Sequence, residues 1–247
     1  MARAFGVICR TSLASMCLVS TLVLGQTAQH PSKSARDLVK QFKSETASWK
    51  QLEVAKKIVA LHDKRVLQDL EPWLSKEDIY SRSNAAFIFA SLGDDRGFQI
   101  LKTILAGHSG YALNDLSNSD PRLQIRWDGY SVQDRYYAVH LFGYLKDARA
   151  IPVLIPLLKD KEVNYKVAWS LGQIGDKSAI PPLIEALDDK NPDMRVAAIY
   201  ALEQLDAKEA LPKMRTLLTD DETIHTDGLG PVSDAAKKAI ITLERKP

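Results

Sequence analysis

The sequence predicts an all-α protein, a right-handed α-solenoid of stacked antiparallel helix pairs. First, a short motif recurs in which an apolar residue is followed two positions later by Asp or Ala; its copies begin at Leu61, Leu92, Leu145, Ile174 and Leu205. Second, these copies are 31, 53, 29 and 31 residues apart, and a period near 30 is typical of repeat proteins. Third, apolar residues in each unit recur at helical intervals of three and four. Neither helix of a unit can bury its apolar stripe alone, so we expect neighbouring units to stack.

Residues 1–25, ahead of the repeats, are predicted to be a signal peptide. Arg3 and Arg10 give a basic start, and the apolar run over residues 11–24 is short for a membrane span. An uncleaved membrane anchor is the alternative. A signal peptide implies export to the periplasm or the cell exterior, with no stable membrane insertion after cleavage.

Removal of this segment determines what residues 26–247, predicted as a single domain, can contain. Cys9 and Cys17 would both leave with it, which excludes a disulfide, a thiolate nucleophile and a cysteine metal ligand from the remainder. Arg3 and Arg10 are two of the 33 basic residues, so the remainder would have 31 basic and 31 acidic residues. A neutral chain without a basic run is not expected to bind nucleic acid.

The repeat period divides the domain into a cap, five units and a half-unit. Leu38, Val39 and Phe42 share one face of the cap helix, and Leu243 ends a half-unit that repeats the pattern before Leu205. The predicted spans are about 33–45 for the cap, then 47–77, 78–106, 130–159, 160–190 and 191–220 for the five units, and 232–247 for the half-unit. The 53-residue spacing leaves an insertion at about 107–129 between units two and three.

Three apolar columns, with one residue from each unit, define the first helices. The middle column contains Ile58, Phe89, Phe142, Leu171 and Leu202; the next contains Leu61, Leu92, Leu145, Ile174 and Leu205; the preceding one contains Ala55, Ala86, Val139, Ala168 and Ile199. The residues predicted to cap these helices are Asp78, Ser131, Asp160 and Asn191.

The second helices are marked by apolar columns and by proline. The columns contain Leu67, Phe98, Ile151, Ile180 and Leu211, and three residues later Leu70, Leu101, Leu154, Leu183 and Met214. Pro152, Pro181 and Pro212 fall in the first turn, where a missing N–H is tolerated. Pro72 and Pro156 fall deeper and predict a departure from ideal helix.

An aspartate precedes the second helix in four units, at Asp63, Asp94, Asp147 and Asp176. Its repetition favours a structural role over a catalytic one. We expect each carboxylate to cap the helix that follows it. We also expect it to pair with Arg82, Arg135 or Arg195, which share a column at the start of the first helices.

The units "VNYKVAWSLGQIGDKSAIPPLIEALDDK" and "MRVAAIYALEQLDAKEALPKMRTLL" resemble HEAT repeats of the short, roughly 30-residue phycobiliprotein-lyase-like class. The resemblance implies the solenoid fold, while its members include bilin lyases, metal-dependent hydroxylases and interaction scaffolds. The deoxyhypusine hydroxylases among them hold two irons through repeated His-Glu pairs. This chain contains no His-Glu dipeptide, and His62-Asp63 is interpreted as part of a turn. We therefore predict no metal and no cofactor.

One column of the first helices is predicted to point away from the core. It contains Phe87, His140, Trp169 and Tyr200, with Tyr137 and Tyr144 one turn away on either side. Rings that recur at an outward position are not needed on a solvated face, so either another segment or a partner covers them.

The insertion supplies further rings next to this column. Two interpretations stay open: its side chains pack over the column as a structural cover, or they form a partner site with it. The candidate partner-binding residues are Tyr111, Arg126, Trp127, Tyr130, Tyr137, His140, Tyr144 and Trp169. The predicted function is a noncatalytic exported scaffold that binds a protein or peptide. The alternative is an enzyme or enzyme accessory similar to bilin lyases or deoxyhypusine hydroxylases.

Overall fold

Twelve α-helices follow one another in the computed structural model, which describes residues 30–106, 132–224 and 230–245. They are α1 (Lys33–Ser44), α2 (Ser48–Ala60), α3 (Val66–Leu70), α4 (Ile79–Ser91), α5 (Asp95–Ala106), α6 (Val132–Leu145), α7 (Ile151–Leu154), α8 (Asn164–Ile174), α9 (Ile180–Glu185), α10 (Pro192–Gln204), α11 (Leu211–Thr216) and α12 (Val232–Arg245). Within these ranges the only β pairing is an isolated bridge between Thr223 and Pro231.

The helices stack in the order that the repeat predicts. Helices α2, α4, α6, α8, α10 and α12 each pack against the next in that series, and α1 packs against α2 and α3. Each of the five units therefore contributes one first helix and one second helix, with α1 and α12 at the two ends. This confirms an all-α solenoid.

The first-helix columns form the core of the stack. All residues of the middle column and of the column before it have no exposed surface. The third column is less uniform, since Leu61 is 40% exposed and Leu145 is only partly buried. The prediction that the apolar stripe faces inward was therefore wrong at Leu61, whereas Leu145 still packs against the buried core.

Proline shortens the second helices as expected. Helix α3 passes into a 3₁₀ segment, Glu71–Ser75, at Pro72, and α7 passes into another, Ile155–Lys159, at Pro156. A proline inside an α-helix removes one backbone donor and clashes with the preceding turn, so the tighter helix takes over. Pro152, Pro181 and Pro212 lie in first turns, as predicted.

The turn between the two helices of every unit contains one residue with left-handed backbone. These residues are His62 (φ 51°), Gly93 (φ 83°), Lys146 (φ 51°), Gly175 (φ 82°) and Asp206 (φ 55°). They all occupy the middle position of the recurring motif. The turn therefore has the same backbone path in each unit, although only two of the five residues are glycine.

Two of the predicted caps of the first helices are confirmed and one is wrong. Asp78 accepts a hydrogen bond from Ser81 N, and Asn191 accepts one from Asp193 N. Asp160 is not the cap of α8, which begins at Asn164. Its side chain accepts from Glu162 N at 3.1 Å, inside a turn that delays the helix. Ser131 lies outside the described residues.

The aspartates before the second helices do accept backbone N–H groups, from the residue two positions on. Their predicted pairing with the arginines of the first helices was wrong. Asp63, Asp94 and Asp147 instead pair with Arg65, Arg96 and Arg149, the residues whose N–H they accept. These arginines lie in the same turn as the aspartates, two residues on. Their guanidinium groups are therefore closer to the carboxylates than those of the buried arginines of the first helices. The hydrogen bond from Arg65, together with those from backbone N–H groups, lowers the pKa of Asp63 to about 2.

The buried arginines connect consecutive inter-unit turns. Arg135 donates to the carbonyl oxygen of Leu105 at 3.1 Å and pairs with Asp160 and Glu162. Arg195 repeats this arrangement with the carbonyl of Asp189 and with Asp220 and Glu222. Arg82 donates to the carbonyls of Lys76 and Glu77. The column thus fixes the spacing between one unit and the next.

The predicted signal peptide, residues 1–25, and the predicted insertion, 107–129, lie outside the described residues. All twelve helices belong to one unit, Pro31–Pro247. Among the described residues, no helix combines the length and the apolar character needed to cross a membrane.

Candidate partner-binding site

Five ring side chains of the first helices form what we call the ring row. They are Tyr137, His140 and Tyr144 on α6, Trp169 on α8 and Tyr200 on α10. The His140 and Tyr144 rings meet edge to face with centroids 4.6 Å apart, and those of Trp169 and Tyr200 lie 5.9 Å apart. The structure therefore places the four described candidates, Tyr137, His140, Tyr144 and Trp169, on the first helices of two successive units.

Exposure differs along the row. Trp169 is 37% exposed and Tyr144 is 36% exposed, whereas Tyr137, His140 and Tyr200 are partly buried. Large apolar rings with this much accessible surface lose unfavourable contact with water when a partner covers them. Trp169 and Tyr144 therefore provide most of the contact area that the row offers.

Phe87 was predicted to belong to this outward column, and that prediction was wrong. The side chain is only 3% exposed and is part of the core. Its helix, α4, packs between α2 and α6, and Lys56 of α2 reaches Tyr144 of α6, with Nζ 3.8 Å from the ring centroid. Units one and three therefore approach each other across α4, which leaves its outward position little access to solvent.

Tyr137 links three first helices. Its hydroxyl donates to Asn84 Oδ1 at 2.7 Å, and Asn84 Nδ2 donates to Gln51 Oε1 at 3.0 Å. The ring also packs edge to face on Tyr80 at 5.0 Å. Burial raises the pKa of Tyr137 well above its usual range, against the effect of the hydrogen bond to Asn84. Because its hydroxyl is already bonded, Tyr137 positions the row and offers mainly its ring edge to a partner.

His140 is the least satisfied polar group of the row. Its Nδ1 is buried and has no hydrogen-bond partner among the described residues. Burial lowers the pKa of His140 to about 4, and the positive charges of Lys166 and Lys56 act in the same direction. The imidazole is therefore neutral at pH 7.

Two lysines border the row, and the sequence interpretation did not include either. Lys56 pairs with Glu53 at 2.9 Å; burial alone would lower its pKa, but the bonds to Glu53 and Tyr144 raise it overall. Lys166 lies one turn before Trp169, with Nζ 5.1 Å from the Tyr136 ring, and burial lowers its pKa. Column counting could have found both, because Lys56 shares the column of Phe87 and Lys166 shares that of Tyr137.

Four of the candidates, Tyr111, Arg126, Trp127 and Tyr130, lie outside the described residues. Whether they cover the row or extend it stays a prediction.

The second helices of units three and four form a separate groove of about 760 Å³. Its lining includes Pro156, Pro181, Pro182 and Glu185. Lys213, on the next second helix, pairs with Asp188 at 2.5 Å at the groove's end. None of the described residues that line the groove is aromatic, whereas the ring row offers the exposed rings of Tyr144 and Trp169, so the ring row is the better candidate site.

Within the described ranges 30–106, 132–224 and 230–245, no three His, Cys, Asp or Glu side chains lie in a group that could hold a metal ion.

Comparison with known proteins identifies HEAT repeats in part of the chain. The sequence pattern of the family described as HEAT repeats matches residues 159–225, which include α8 to α11. Among solved structures, an engineered protein is 18% identical with a TM-score of 0.39, over 86% of this chain and 97% of its own. A second engineered protein is 18% identical with a TM-score of 0.40, over 87% of this chain and 59% of its own.

YibA of Escherichia coli is 16% identical with a TM-score of 0.32, over 87% of this chain and 98% of its own. The search of curated proteins gave no match. Residues 159–225 thus match HEAT repeats, and they lie within an all-α solenoid.

Proposed function

We propose that this chain is a noncatalytic exported scaffold whose ring row binds a protein or peptide partner. The observation that carries the proposal is the exposure of Tyr144 and Trp169, 36% and 37%, on the first helices of successive units. Tyrosine and tryptophan are enriched among the residues that dominate binding energy at protein interfaces. Their rings lose few rotatable bonds on binding, so the entropic cost per buried area is small.

The helices hold these rings in place before any partner arrives. Tyr144 contacts His140 and Lys56, and Trp169 contacts Tyr200. A surface that is already ordered loses less conformational freedom on binding, and this favours affinity. The resemblance of units four and five to the short phycobiliprotein-lyase-like class is compatible with this proposal, since that class includes interaction scaffolds.

Binding is tested with a displayed library of random twelve-residue peptides selected on the purified protein. We expect recovered peptides to lose at least about 30-fold in affinity for the Tyr144→Ala, Trp169→Ala double variant, since even one hot-spot residue contributes about 2 kcal/mol or more. The matched control is Leu218→Ala, because Leu218 is also 37% exposed but lies at the end of the last second helix. Recovery of no peptide, or equal losses in both variants, would refute the ring row as a binding surface.

Export is part of the same proposal and has its own measurement. The basic start and apolar run of residues 1–25 support cleavage near residue 25. Mass spectrometry of the protein from the periplasmic or extracellular fraction of its native host should give a mature chain that starts near residue 26. An intact chain found only inside the cell would contradict export.

The enzyme alternative is distinguished with the same purified material. Stoichiometric iron by elemental analysis would favour a hydroxylase-like activity, and the absorption of a bound bilin would favour a lyase-like one. Either result would contradict the scaffold proposal in its noncatalytic form.

A further inference from the structure

Lys166 is a partly buried cation without an ion pair among the described residues. Its ammonium lies 5.1 Å from the Tyr136 ring, and its side chain stands one turn before the exposed Trp169 on α8. Removal of an ammonium from water is unfavourable unless an opposite charge compensates for it. A ring face compensates only in part. Lys166 would therefore gain from an anion at this surface.

The described groups around Lys166 do not supply that anion, since burial is the only influence on its pKa. Lys166 and Lys56 are the charged groups whose fields act on His140, and both are positive. Glu53, the carboxylate next to Lys56, is already paired with it at 2.9 Å. The buried Nδ1 of His140 adds a polar atom that lacks a hydrogen-bond partner among the described residues. This end of the ring row thus combines exposed rings with an uncompensated positive charge.

We propose that the partner of the ring row is an acidic peptide segment, which places a carboxylate against Lys166 and a neighbouring apolar side chain against Trp169. The inference rests on the proposed function and adds the chemistry of the partner. Charge complementarity of this kind orients a partner and excludes those of the wrong sign.

A carboxylate fits this place better than a phosphate. Phosphate groups are usually bound by arginine forks or by several donors at once, whereas Lys166 offers a single ammonium. The arginines of α6 and α10, Arg135 and Arg195, are buried and already bonded to carboxylates. The chain also has nearly equal numbers of basic and acidic residues, 33 and 31, so a polyanion such as nucleic acid finds no extended basic surface.

The peptide selection, repeated at low ionic strength on two lysine variants, tests the inference. Peptides recovered on the native protein should carry Asp or Glu within about three residues of an aromatic residue or leucine. Selection on Lys166→Met should recover apolar peptides that lack this acid. The matched control is Lys57→Met on α2, since Lys57 is exposed and its loss changes the net charge equally. Circular dichroism and the melting temperature of both variants establish that they fold.

A double-mutant cycle then locates the contact. For one recovered peptide, its Glu→Gln change and Lys166→Met should each weaken binding about tenfold, and both together also about tenfold, because they remove one shared interaction. A combined loss of about a hundredfold would show independent effects and overturn the contact. A phosphoserine in place of the glutamate that binds more tightly would overturn the choice of a carboxylate.

The outcomes also separate this inference from the proposed function. Peptides that depend on Trp169 but show no enrichment in acid, or keep that enrichment on Lys166→Met, overturn the acidic partner and leave the scaffold intact. Recovery of no peptide at all overturns both.

Discussion

Arg135 carries a positive charge where its side chain has no exposed surface. It donates to the carbonyl of Leu105 near the end of α5 and pairs with Asp160 and Glu162 before α8, so its bonds reach both neighbouring units. The same column contains the buried Gln51, Arg82, Asn164, Arg195 and Ser233. In this column, the side chains of Gln51 and of the three arginines donate to backbone carbonyl groups.

Replacement of Arg135 by Met should therefore be strongly destabilising. The change leaves one buried carbonyl and two carboxylates without their donor, and loss of one partner from a buried ion pair typically costs about 3–5 kcal/mol. The control is Arg149→Gln, whose ion pairs with Asp147 and Asp95 are solvent-exposed and worth about 1 kcal/mol at most. Urea unfolding followed by circular dichroism measures both, and similar losses would contradict a special role for the buried column.

His140 makes the stability of the folded protein depend on pH, and its lowered pKa gives the sign of this dependence. Its pKa in the folded protein, about 4, lies below the usual 6.5, so between these values the unfolded state binds more protons. Stability from this residue is thus present above about pH 6.5 and lost as the pH falls towards 4. The change in pKa from 6.5 to about 4 corresponds to about 3.4 kcal/mol, and solvent screening of the partly buried imidazole reduces the effect to about 2–3 kcal/mol.

The variant His140→Phe tests this dependence. Phenylalanine is the residue that unit two has in the same column, at Phe87. Between pH 7 and pH 4.5 the melting temperature of the native protein should fall more than that of the variant. Asp63 titrates in the folded protein at about 2, so its contribution is lost mainly below pH 4 and does not enter this window. Equal pH dependence of the two proteins would be incompatible with a buried neutral His140.

Spacing in the sequence predicted which residues share a column, but not what each contacts. The arginine column was recognised from its period, whereas Asp160 and Asp220, its partners 25 residues on, lie in irregular turns. Phe87 shows the same limit, since its position on the helix was predicted and the approach of Lys56 to Tyr144 across α4 was not. Contacts between units depend on how tightly neighbouring helices pack. The spacing of residues in the sequence carries no information about that distance.

At the level of secondary-structure elements, the two helices of unit two, α4 and α5, approach each other closely at Gly97. A Cβ at Gly97 on α5 would lie 2.1 Å from the carbonyl oxygen of Ala86 and 2.4 Å from the nitrogen of Ala90, both in α4. Backbone atoms of a buried helix cannot move aside singly. The two helices of unit two therefore pack at a distance that only glycine permits.

Gly97→Ala should destabilise the protein by about 1–3 kcal/mol, the usual cost of overpacking, although alanine has the higher helix propensity. Gly143→Ala on α6 is the matched control. Its Cβ would meet Gln173 Oε1 at 2.3 Å, the end of a flexible side chain, with Ser170 Oγ at 3.1 Å. We expect its unfolding free energy to stay within about 1 kcal/mol of the native value. Chemical denaturation of the native protein and the two variants measures these unfolding free energies. A Gly97→Ala variant as stable as the native protein would argue against the close packing.

The lengths of the elements were predictable where local chemistry determines them. Pro72 and Pro156 indicated where α3 and α7 would give way to 3₁₀ segments, because the effect of proline is confined to its own turn. The start of α8 was missed by three residues, since Asp160 has a side chain suited to a cap but is used to bind Arg135. When a side chain can either cap a helix or pair with an arginine, its residue type alone does not predict which of the two it does.

At the scale of the whole molecule, each end of the stack needs a cover. Helix α12 packs on α10 and α11 and buries Val232, Ala236, Ala239 and Leu243 completely. Burial of a side chain the size of Val or Leu contributes roughly 1.5–3 kcal/mol. Because units of a solenoid contact mainly their neighbours, loss of the cover should be felt most by the adjacent unit.

A chain truncated after Glu222 should therefore be less stable, and its loss of hydrogen-exchange protection should be greatest in α10 and α11 and decline towards α2. Arg215→Gln is the control, since it removes only the exposed ion pair with Glu244 and should change stability by about 1 kcal/mol or less. Equal loss of protection in all helices would contradict a stack held by nearest neighbours.

The period of the sequence was sufficient to predict the architecture because every unit repeats the same local pattern. The candidate site was predicted only in part. Trp169 followed from the outward column and Tyr144 from the position one turn away. Lys166 matters because no carboxylate among the described residues pairs with it, and only the folded arrangement reveals that.

The left-handed turns have a consequence for how such a chain can change in length. His62, Gly93, Lys146, Gly175 and Asp206 form the same bend with an imidazole, an ammonium, a carboxylate or no side chain at all. The bend is thus set by the path of the chain between two helices and tolerates unrelated chemistry at its centre. Because every bend has the same backbone path, a segment that runs from one bend to another can be joined to the chain at any other bend. Whole units can therefore be duplicated, deleted or exchanged without a new turn having to evolve.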